Sequence, residues 1–217
     1  MKIHFMTYVS KLCRHASAAA VGALMFVAQS QAAVIEYSTR SINGAVGVNT
    51  SDYRASYGAQ GTAETTQNLA AFTNVGSGGN TFSHLSISFT VGGAFAGANF
   101  AFEVAPDAGF GGALYLDGAQ VDVDTSDLWW GLNWSAISEI LFVNRKAPFV
   151  GDHVLEAYWA EGCCAGGQSA RFTTDDGASF QAMTVANLAA LNVPEPGTLA
   201  IVGLALAALG ASRRRAA

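Results

Sequence analysis

The chain has 217 residues, of which 51% are hydrophobic and 12% are charged, and its formal net charge is −5. Residues 33–193 keep only five basic residues against fifteen acidic ones, a formal net charge of −10. Nucleic-acid binding draws its affinity from clustered Lys and Arg, so this balance argues against nucleic acid as a partner. The same stretch is long enough for one domain with its own hydrophobic core.

The first 32 residues have the order of a secretory signal peptide. Three basic residues precede an apolar run over 16–27, and small residues lead up to Ala32. This order predicts export, with cleavage by signal peptidase after Ala32. The apolar run is well short of the roughly 20 residues that a membrane-spanning helix needs. We therefore expect a short signal helix in residues 1–32 and a mature domain in residues 33–193.

The mature domain consists of short alternating segments separated by Gly, Asp and Asn. In "HLSISFTV" the apolar residues Leu85, Ile87, Phe89 and Val91 fall on one face of a strand. "NFAFEV" repeats this pattern after "GGAFAG", and we expect the two segments to pair as antiparallel neighbours. Further strand candidates are "AVIEYSTR", "ALYLDG", "VDV", "EILFV", "HVLEAYWA", "ARFTT" and "SFQAMTV".

Two segments fit this pattern less well. "NTSDYRASYGAQGTAETTQN" is predicted as a polar loop, and "WSAISEILFV" fits either a helix or a strand. Neither contains a long amphipathic helix. Many short strands at even spacing predict an all-β fold, a β-sandwich or jelly roll.

Several aspartates lie close together after "ALYLDG". Asp122, Asp124 and Asp127 are the candidate ligands of a calcium ion, because clustered carboxylates on a loop hold hard cations. The spacing does not match an EF-hand loop. The alternative is that these residues are solvated turn aspartates.

All four tryptophans lie between Trp129 and Trp159. The large flat face of a tryptophan suits stacking against a pyranose ring as well as core packing. Consecutive side chains on a strand point to opposite faces. One of Trp129 and Trp130 is therefore the candidate exposed aromatic of a sugar-binding site.

Cys163 and Cys164, in "EGCCAGG", are the only cysteines after the predicted signal peptide. A vicinal disulfide, two free thiols and intermolecular bridges are the three alternatives. The Cα atoms of neighbours are about 3.8 Å apart, against about 4.4–6.8 Å in most disulfides, so a ring is strained. Flanking glycines absorb such strain, and an oxidising exterior disfavours free thiols. We therefore favour the vicinal disulfide.

Residues that could carry catalysis are few. The mature domain has two histidines, His84 and His153, and no paired-His metal motif, phosphate-binding glycine loop or nucleophile elbow. We expect a protein that is not an enzyme and needs no cofactor. A thiol-dependent enzyme, with Cys163 activated by one of the histidines, is the least favoured alternative.

The chain ends in "NVPEPGTLAIVGLALAALGASRRRAA". A Pro-Glu-Pro motif, an apolar run and an arginine run in this order resemble the PEP-CTERM sorting signal of Gram-negative bacteria. The resemblance implies that residues 194–217 are recognised by exosortase, a membrane protease-transpeptidase, and that the carrier reaches the cell surface or extracellular matrix. The residues that carry it are Pro194, Glu195, Pro196, Arg213, Arg214 and Arg215.

The apolar run of this tail is short. Residues 198–211 would form a helix about 21 Å long, against a hydrocarbon core of about 30 Å. We therefore expect a C-terminal hydrophobic helix that inserts into the membrane transiently. The arginines favour the cytoplasmic side, which leaves the Pro-Glu-Pro motif accessible to a processing enzyme outside.

Two further resemblances concern the mature domain. Cys163-Cys164-Ala165-Gly166 resembles a Cys-Cys-x-Gly subgroup of PEP-CTERM proteins. "LYLDG" followed by "GDHVLEAYWAEG" is similar to the protective-antigen-type β-sandwich, whose members often bind carbohydrate, some through calcium. We expect a structural or adhesive exported protein. The alternative is a carbohydrate-binding module that contacts extracellular polysaccharide through Trp129 or Trp130.

Overall fold

The computed structural model describes residues 32–43, 51–61 and 63–193, together with residue 203. The predicted signal helix and the residues of the sorting motif lie outside this part of the chain. Among the described residues, no helix is long and apolar enough to cross a membrane.

Short strands dominate the described part of the chain. The strands are β1 Val34–Ser41, β2 Thr65–Leu69, β3 Val75–Gly76, β4 Thr81–Val91, β5 Phe100–Ala105, β6 Asp107–Ala108, β7 Gly112–Leu116, β8 Ala119–Asp124, β9 Leu128–Trp129, β10 Leu141–Arg145, β11 Gly151–Glu161, β12 Gly167–Thr173 and β13 Gln181–Ala182. The helices are α1 Tyr53–Gly58 and α2 Val185–Ala189, and 3-10 turns cover Gly93–Phe95 and Ile137–Glu139.

These strands form two antiparallel sheets, which confirms the predicted all-β sandwich. The first sheet has the order β2-β1-β4-β11-β7-β8. The second has the order β10-β5-β12-β13, and β3 also pairs with β12. A two-stranded ribbon of β6 and β9 lies beside them.

The core lies between the inner faces of the two sheets. In β4 the alternation is as predicted, because Leu85, Ile87, Phe89 and Val91 are all buried while the intervening residues are partly exposed. The ring centroids of Phe89 in the first sheet and Phe102 in the second are 5.4 Å apart. Burying such aromatic side chains stabilises the fold by about 1.5–3 kcal/mol each.

The predicted pairing of "HLSISFTV" with "NFAFEV" is wrong. β4 pairs with β1 and β11, whereas β5 pairs with β10 and β12 in the other sheet. The connection "GGAFAG" contains the 3-10 turn, and it carries the chain from one sheet to the other. The two apolar faces therefore meet across the core. Alternation indicates which side chains are buried, but it does not indicate which strand is the neighbour.

The predicted polar loop over residues 49–68 is also wrong, because it contains α1 and β2. The side chain of Asp52 caps α1 by accepting a hydrogen bond from Ala55 N at 2.9 Å. Tyr53 and Tyr57 are buried on one side of this helix, where both rings pack against Phe82. Tyr53 and Tyr57, four residues apart, thus form the apolar stripe of α1. The polar composition of the rest of the segment hides this stripe in the sequence.

The predicted strand "SFQAMTV" is only partly correct, because β13 comprises just two residues. Thr184 then caps α2 by accepting a hydrogen bond from Asn187 N at 3.0 Å. The ambiguous "WSAISEILFV" resolves into the second 3-10 turn followed by β10. Because α1 covers part of the outer face of the first sheet, the two outer faces of the sandwich differ.

Candidate functional site

The two candidate tryptophans point in opposite directions, as predicted. Trp129 is 67% exposed, whereas Trp130 is 4% exposed and its Nε1 donates a hydrogen bond to Gly167 O at 2.8 Å. The backbone N of Trp129 donates to Glu139 Oε2 at 2.9 Å. Trp130 is thus a packing residue, and Trp129 remains as the candidate exposed aromatic.

Two of the three candidate calcium ligands, Asp122 and Asp124, accept hydrogen bonds from other groups of the chain. Asp122 accepts hydrogen bonds from Val123 N and, at 2.8 Å, from Phe142 N. Asp124 accepts from the N and Oγ of Ser126. Within the described residues, no three Asp, Glu, His or Cys side chains are grouped closely enough to hold a metal ion. Calcium binding by Asp122, Asp124 and Asp127 stays a prediction that this arrangement does not favour.

Both histidines lie on strands of the first sheet next to a carboxylate. The His84 ring stacks on Tyr158 with centroids 4.2 Å apart, and its Nε2 is 3.3 Å from Glu156 Oε1. His153 stacks on Phe149 at 3.7 Å, and its Nδ1 is 2.9 Å from an oxygen of Asp117. Each histidine therefore packs against an aromatic ring and a carboxylate of the same sandwich.

Cys163 and Cys164 are exposed free thiols, so the favoured vicinal disulfide stays a prediction. The neighbouring thiol of Cys164 raises the pKa of Cys163, and the carboxylates of Glu161 and Asp127 add to the effect. A nucleophilic cysteine needs the opposite, a nearby cation that lowers the pKa. The surroundings of Cys163 therefore disfavour the thiolate of a thiol-dependent enzyme.

A groove of about 370 Å³ lies on the outer face of the second sheet, where the sequence predicted no site. On β10, Leu141 and Val143 point into the core, so Phe142 and Asn144 point outward. Phe142 lies beside Glu103 and Asn144 beside Ala101 in the register with β5. We call this surface the outer groove; its lining residues are Ala101, Glu103, Ile137, Ile140, Phe142, Asn144, Asp176, Gly177 and Phe180.

The outer groove combines exposed apolar side chains with oxygen-bearing ones. Phe142 is 52% exposed and Ile137 is 79% exposed. The lining also includes two carboxylates and one amide, those of Glu103, Asp176 and Asn144. Within the described part of the chain, none of the residues that line the outer groove is Lys or Arg. Such a surface can contact an apolar face of a ligand while it hydrogen-bonds the hydroxyl groups at the edge.

Arg171 on β12 holds the side chains at one side of the outer groove. Its Nε donates to Glu103 Oε2 at 2.6 Å. Its guanidinium also lies 3.8 Å from the ring centroid of Phe180 and 4.1 Å from that of Trp134. Beyond Phe180 a smaller depression of about 210 Å³ continues along the same face. Because Arg171 contacts three neighbours at once, it keeps the shape of the groove wall fixed.

A tight turn places Asp176 and Phe180 at the outer groove. Asp175 accepts hydrogen bonds from Ser179 N at 2.9 Å and from the hydroxyls of Ser179 and Thr173. These hydrogen bonds lower the pKa of Asp175 to about 2, and those from Ser179 have the largest effect. The carboxylate therefore stays ionised at any physiological pH and keeps the turn closed.

One local pattern in the sequence indicates this surface, although the overall composition does not. In "LFVNR" the strict alternation of β10 puts a phenylalanine on the polar face, where an apolar residue has no core to fill. Together with the exposed Ile137, Phe142 gives the outer groove more than a single exposed apolar side chain, and apolar patches on a surface mark interaction sites. The turn over 175–180 could not be predicted to lie beside it, because that proximity depends on the pairing of β5, β10 and β12.

Residues 192–215 match the model of the PEP-CTERM protein-sorting motif. This match confirms the recognition made from Pro194, Glu195 and Pro196. The described part of the chain is thus a β-sandwich followed by a sorting motif that implies export to the cell surface by the exosortase route. A comparison with curated proteins found no match. The Cys-Cys-x-Gly subgroup stays a prediction.

Several solved structures have a similar arrangement of strands. One is the PA14 domain of the MpAFP antifreeze protein, with a TM-score of 0.48, 11% identity, and 70% of this chain and 87% of that chain covered. Another is the PA14 sugar-binding domain of an RTX adhesin, with a TM-score of 0.44, 11% identity, and 72% and 97% covered. A third is the Epithelial Adhesin 9 A domain of Candida glabrata in complex with Galb1-4GlcNAc, with a TM-score of 0.45, 9% identity, and 69% and 86% covered. At these TM-scores the likenesses do not define a ligand or a site for this chain.

Proposed function

We propose that this chain is an exported, non-enzymatic surface or matrix protein that binds neutral carbohydrate in the outer groove. One observation carries the proposal: the outer groove presents the exposed ring of Phe142 and the side chain of Ile137 next to Glu103, Asn144 and Asp176. A sugar ring has an apolar face of C–H groups and an edge of hydroxyl groups. The groove offers a matching surface to each of them.

The size of the outer groove fits a small saccharide unit. Pockets for small ligands are about 300–1,000 Å³, and the volume of about 370 Å³ is near the lower end of that range. The neighbouring depression extends the same face by about 210 Å³. We therefore expect recognition of one or two residues within a longer polysaccharide chain.

The charges favour neutral over acidic sugars. Glu103 already accepts a hydrogen bond from Arg171, so this cation is engaged and is not free to bind an anion. Asp176 adds a further carboxylate to the lining. Since like charges repel and burying an unpaired charge is costly, uronic-acid and sulfated polymers should bind weakly.

Binding of the exported chain to immobilised neutral glucans and galactans, with alginate as the acidic polymer, tests the proposal. The substitution Phe142→Ala should weaken binding at least about tenfold, equivalent to about 1.4 kcal/mol. Trp129→Ala is the matched control, because it removes an exposed ring outside the outer groove. Loss of binding in Trp129→Ala with retention in Phe142→Ala would move the site to the loop predicted from the sequence. Preferential binding to alginate would contradict the charge argument.

A purely structural or adhesive role without a saccharide ligand is the second candidate. It is supported by the exposed apolar residues Trp129 and Leu132, which are not among the lining residues of the outer groove. This alternative predicts no saturable binding to any polysaccharide. The same binding experiment therefore distinguishes the two.

A further inference from the structure

The loop over residues 162–166, which we call the thiol loop, connects β11 in the first sheet to β12 in the second. It contains the two exposed cysteines of the described chain. Neither cysteine takes part in the outer groove. The thiol loop is therefore a surface feature that the proposed carbohydrate binding does not use.

Two buried carboxylates, those of Glu161 and Asp107, accept hydrogen bonds from the backbone of the thiol loop. Glu161 accepts hydrogen bonds from Cys163 N and Gly109 N, each at 2.7 Å. Asp107 Oδ2 accepts from Gly166 N at 2.6 Å. Hydrogen bonds to a charged acceptor are worth about 1.5–3 kcal/mol each. The backbone on both sides of the cysteines is therefore fixed.

This fixation opposes a ring between the two cysteines. Neighbouring Cα atoms across a trans peptide are about 3.8 Å apart, less than the separation of about 4.4–6.8 Å in most disulfides. Closing the ring requires the backbone between Cys163 and Cys164 to distort. The hydrogen bonds of Cys163 N and Gly166 N hold the backbone on either side of that peptide in place, which leaves it less room to distort.

Exposed apolar side chains adjoin the thiol loop. Trp130 Nε1 bonds to Gly167 O, directly after the loop. A Cβ atom placed on Gly167 would lie 2.9 Å from Cδ2 of Leu132, so this leucine is next to the loop as well. Leu132 is 57% exposed, and Trp129, next to Trp130, is exposed too. A contact between copies at this surface would bury these side chains.

We propose that Cys163 and Cys164 form disulfides between copies of this chain, and that these bonds link the exported protein into chains. The proposal rests on export, because disulfides persist in oxidising surroundings. One thiol from each copy reacts by exchange with a disulfide-bonded oxidant. Two S–H bonds break and one S–S bond forms between the copies, while the two protons and two electrons reduce the oxidant to a dithiol.

Two adjacent thiols allow a copy to bond two partners, and one thiol allows only one. This difference gives a direct test with protein recovered from the host cell surface, blocked with iodoacetamide and separated on a gel without reductant. The wild-type chain should give dimers and higher multimers that collapse to monomer on reduction. Cys163→Ser and Cys164→Ser should each give no species larger than a dimer.

The variant with both substitutions is the control and should be monomeric. A dimer in that variant would assign the bond to Cys13 in an uncleaved signal peptide and would overturn the proposal. A wild-type monomer that lacks two hydrogens and takes no iodoacetamide would show the vicinal ring. A monomer alkylated at both cysteines, or a mixed disulfide with a different protein, would also overturn it. Unchanged thermal unfolding of the single variants shows that their folds are intact.

Failure of this proposal is separable from failure of the carbohydrate proposal. The double cysteine variant should bind polysaccharide through the outer groove with the site affinity of the wild type. Phe142→Ala should form the same disulfide-linked multimers as the wild type. Loss of multimers in Phe142→Ala would contradict the independence of the two surfaces.

Discussion

Arg171 offers the sharpest energetic test of how the outer groove is held. Replacing it with methionine removes the 2.6 Å hydrogen bond to Glu103 and both cation–ring contacts, those with Trp134 and Phe180. A hydrogen bond between charged groups contributes about 1.5–3 kcal/mol, and each cation–ring contact about 0.5–1 kcal/mol. Ordering the arginine side chain costs about 1.5–2 kcal/mol. We therefore expect Arg171→Met to lower the free energy of unfolding by about 2 kcal/mol.

A double-mutant cycle with Glu103→Gln isolates the ion pair from the ring contacts. Both side chains of the pair are about one-fifth exposed, at 21% and 19%, so solvent screens the pair only in part. We expect a coupling energy of about 1 kcal/mol, measured by urea unfolding followed by tryptophan fluorescence. Lys146→Met, at an exposed position directly after β10, is the control and should change stability by less than about 0.5 kcal/mol. A coupling energy below about 0.3 kcal/mol would refute the view that Arg171 fixes the groove wall.

Three further predictions concern the framework around the two surfaces. Burial raises the pKa of Glu161, so the folded state holds that proton more tightly than the unfolded state. Stability should therefore fall as pH rises above the usual range of a glutamate, and Glu161→Gln should remove this step from unfolding curves recorded at rising pH. A Cβ on Gly112 would lie 2.8 Å from Tyr158 O, so Gly112→Ala should lower the midpoint of thermal unfolding by the equivalent of about 1–3 kcal/mol, whereas Gly76→Ala, with open space, should not. Trp130→Phe leaves the carbonyl of Gly167 without its donor and should cost about 1–2 kcal/mol in urea unfolding; an effect no larger than that of Trp129→Phe would count against this hydrogen bond.

Local patterns in the sequence predicted most of the individual strands. β1, β4, β7 and β11 follow strict alternation or an apolar run between turn residues, and the structure contains each of them. The alternation at Trp129 and Trp130 likewise predicted one exposed and one buried ring. Such predictions depend only on the two-residue period of a strand.

What the sequence could not provide is the pairing of distant strands. β5 was expected beside β4 because the two are consecutive, but it lies in the opposite sheet. The outer groove consists of β5, β10 and the turn after β12, so the wrong pairing also hid the site. Phe142 and Glu103 are 39 positions apart in the sequence and directly opposite each other in the sheet. The two-residue period of a strand gives no indication of that contact.

The most direct test of the central claim is where a neutral oligosaccharide binds. Isotope-labelled exported chain can be titrated with a neutral oligosaccharide from the polymer it retains, while backbone amide signals are followed by NMR. We predict saturable shifts at Phe142, Asn144 and the turn over 175–180, and unchanged signals from the thiol loop. Shifts centred on residues 127–132, or no saturable shift with any neutral oligosaccharide, would contradict the outer groove as the binding site.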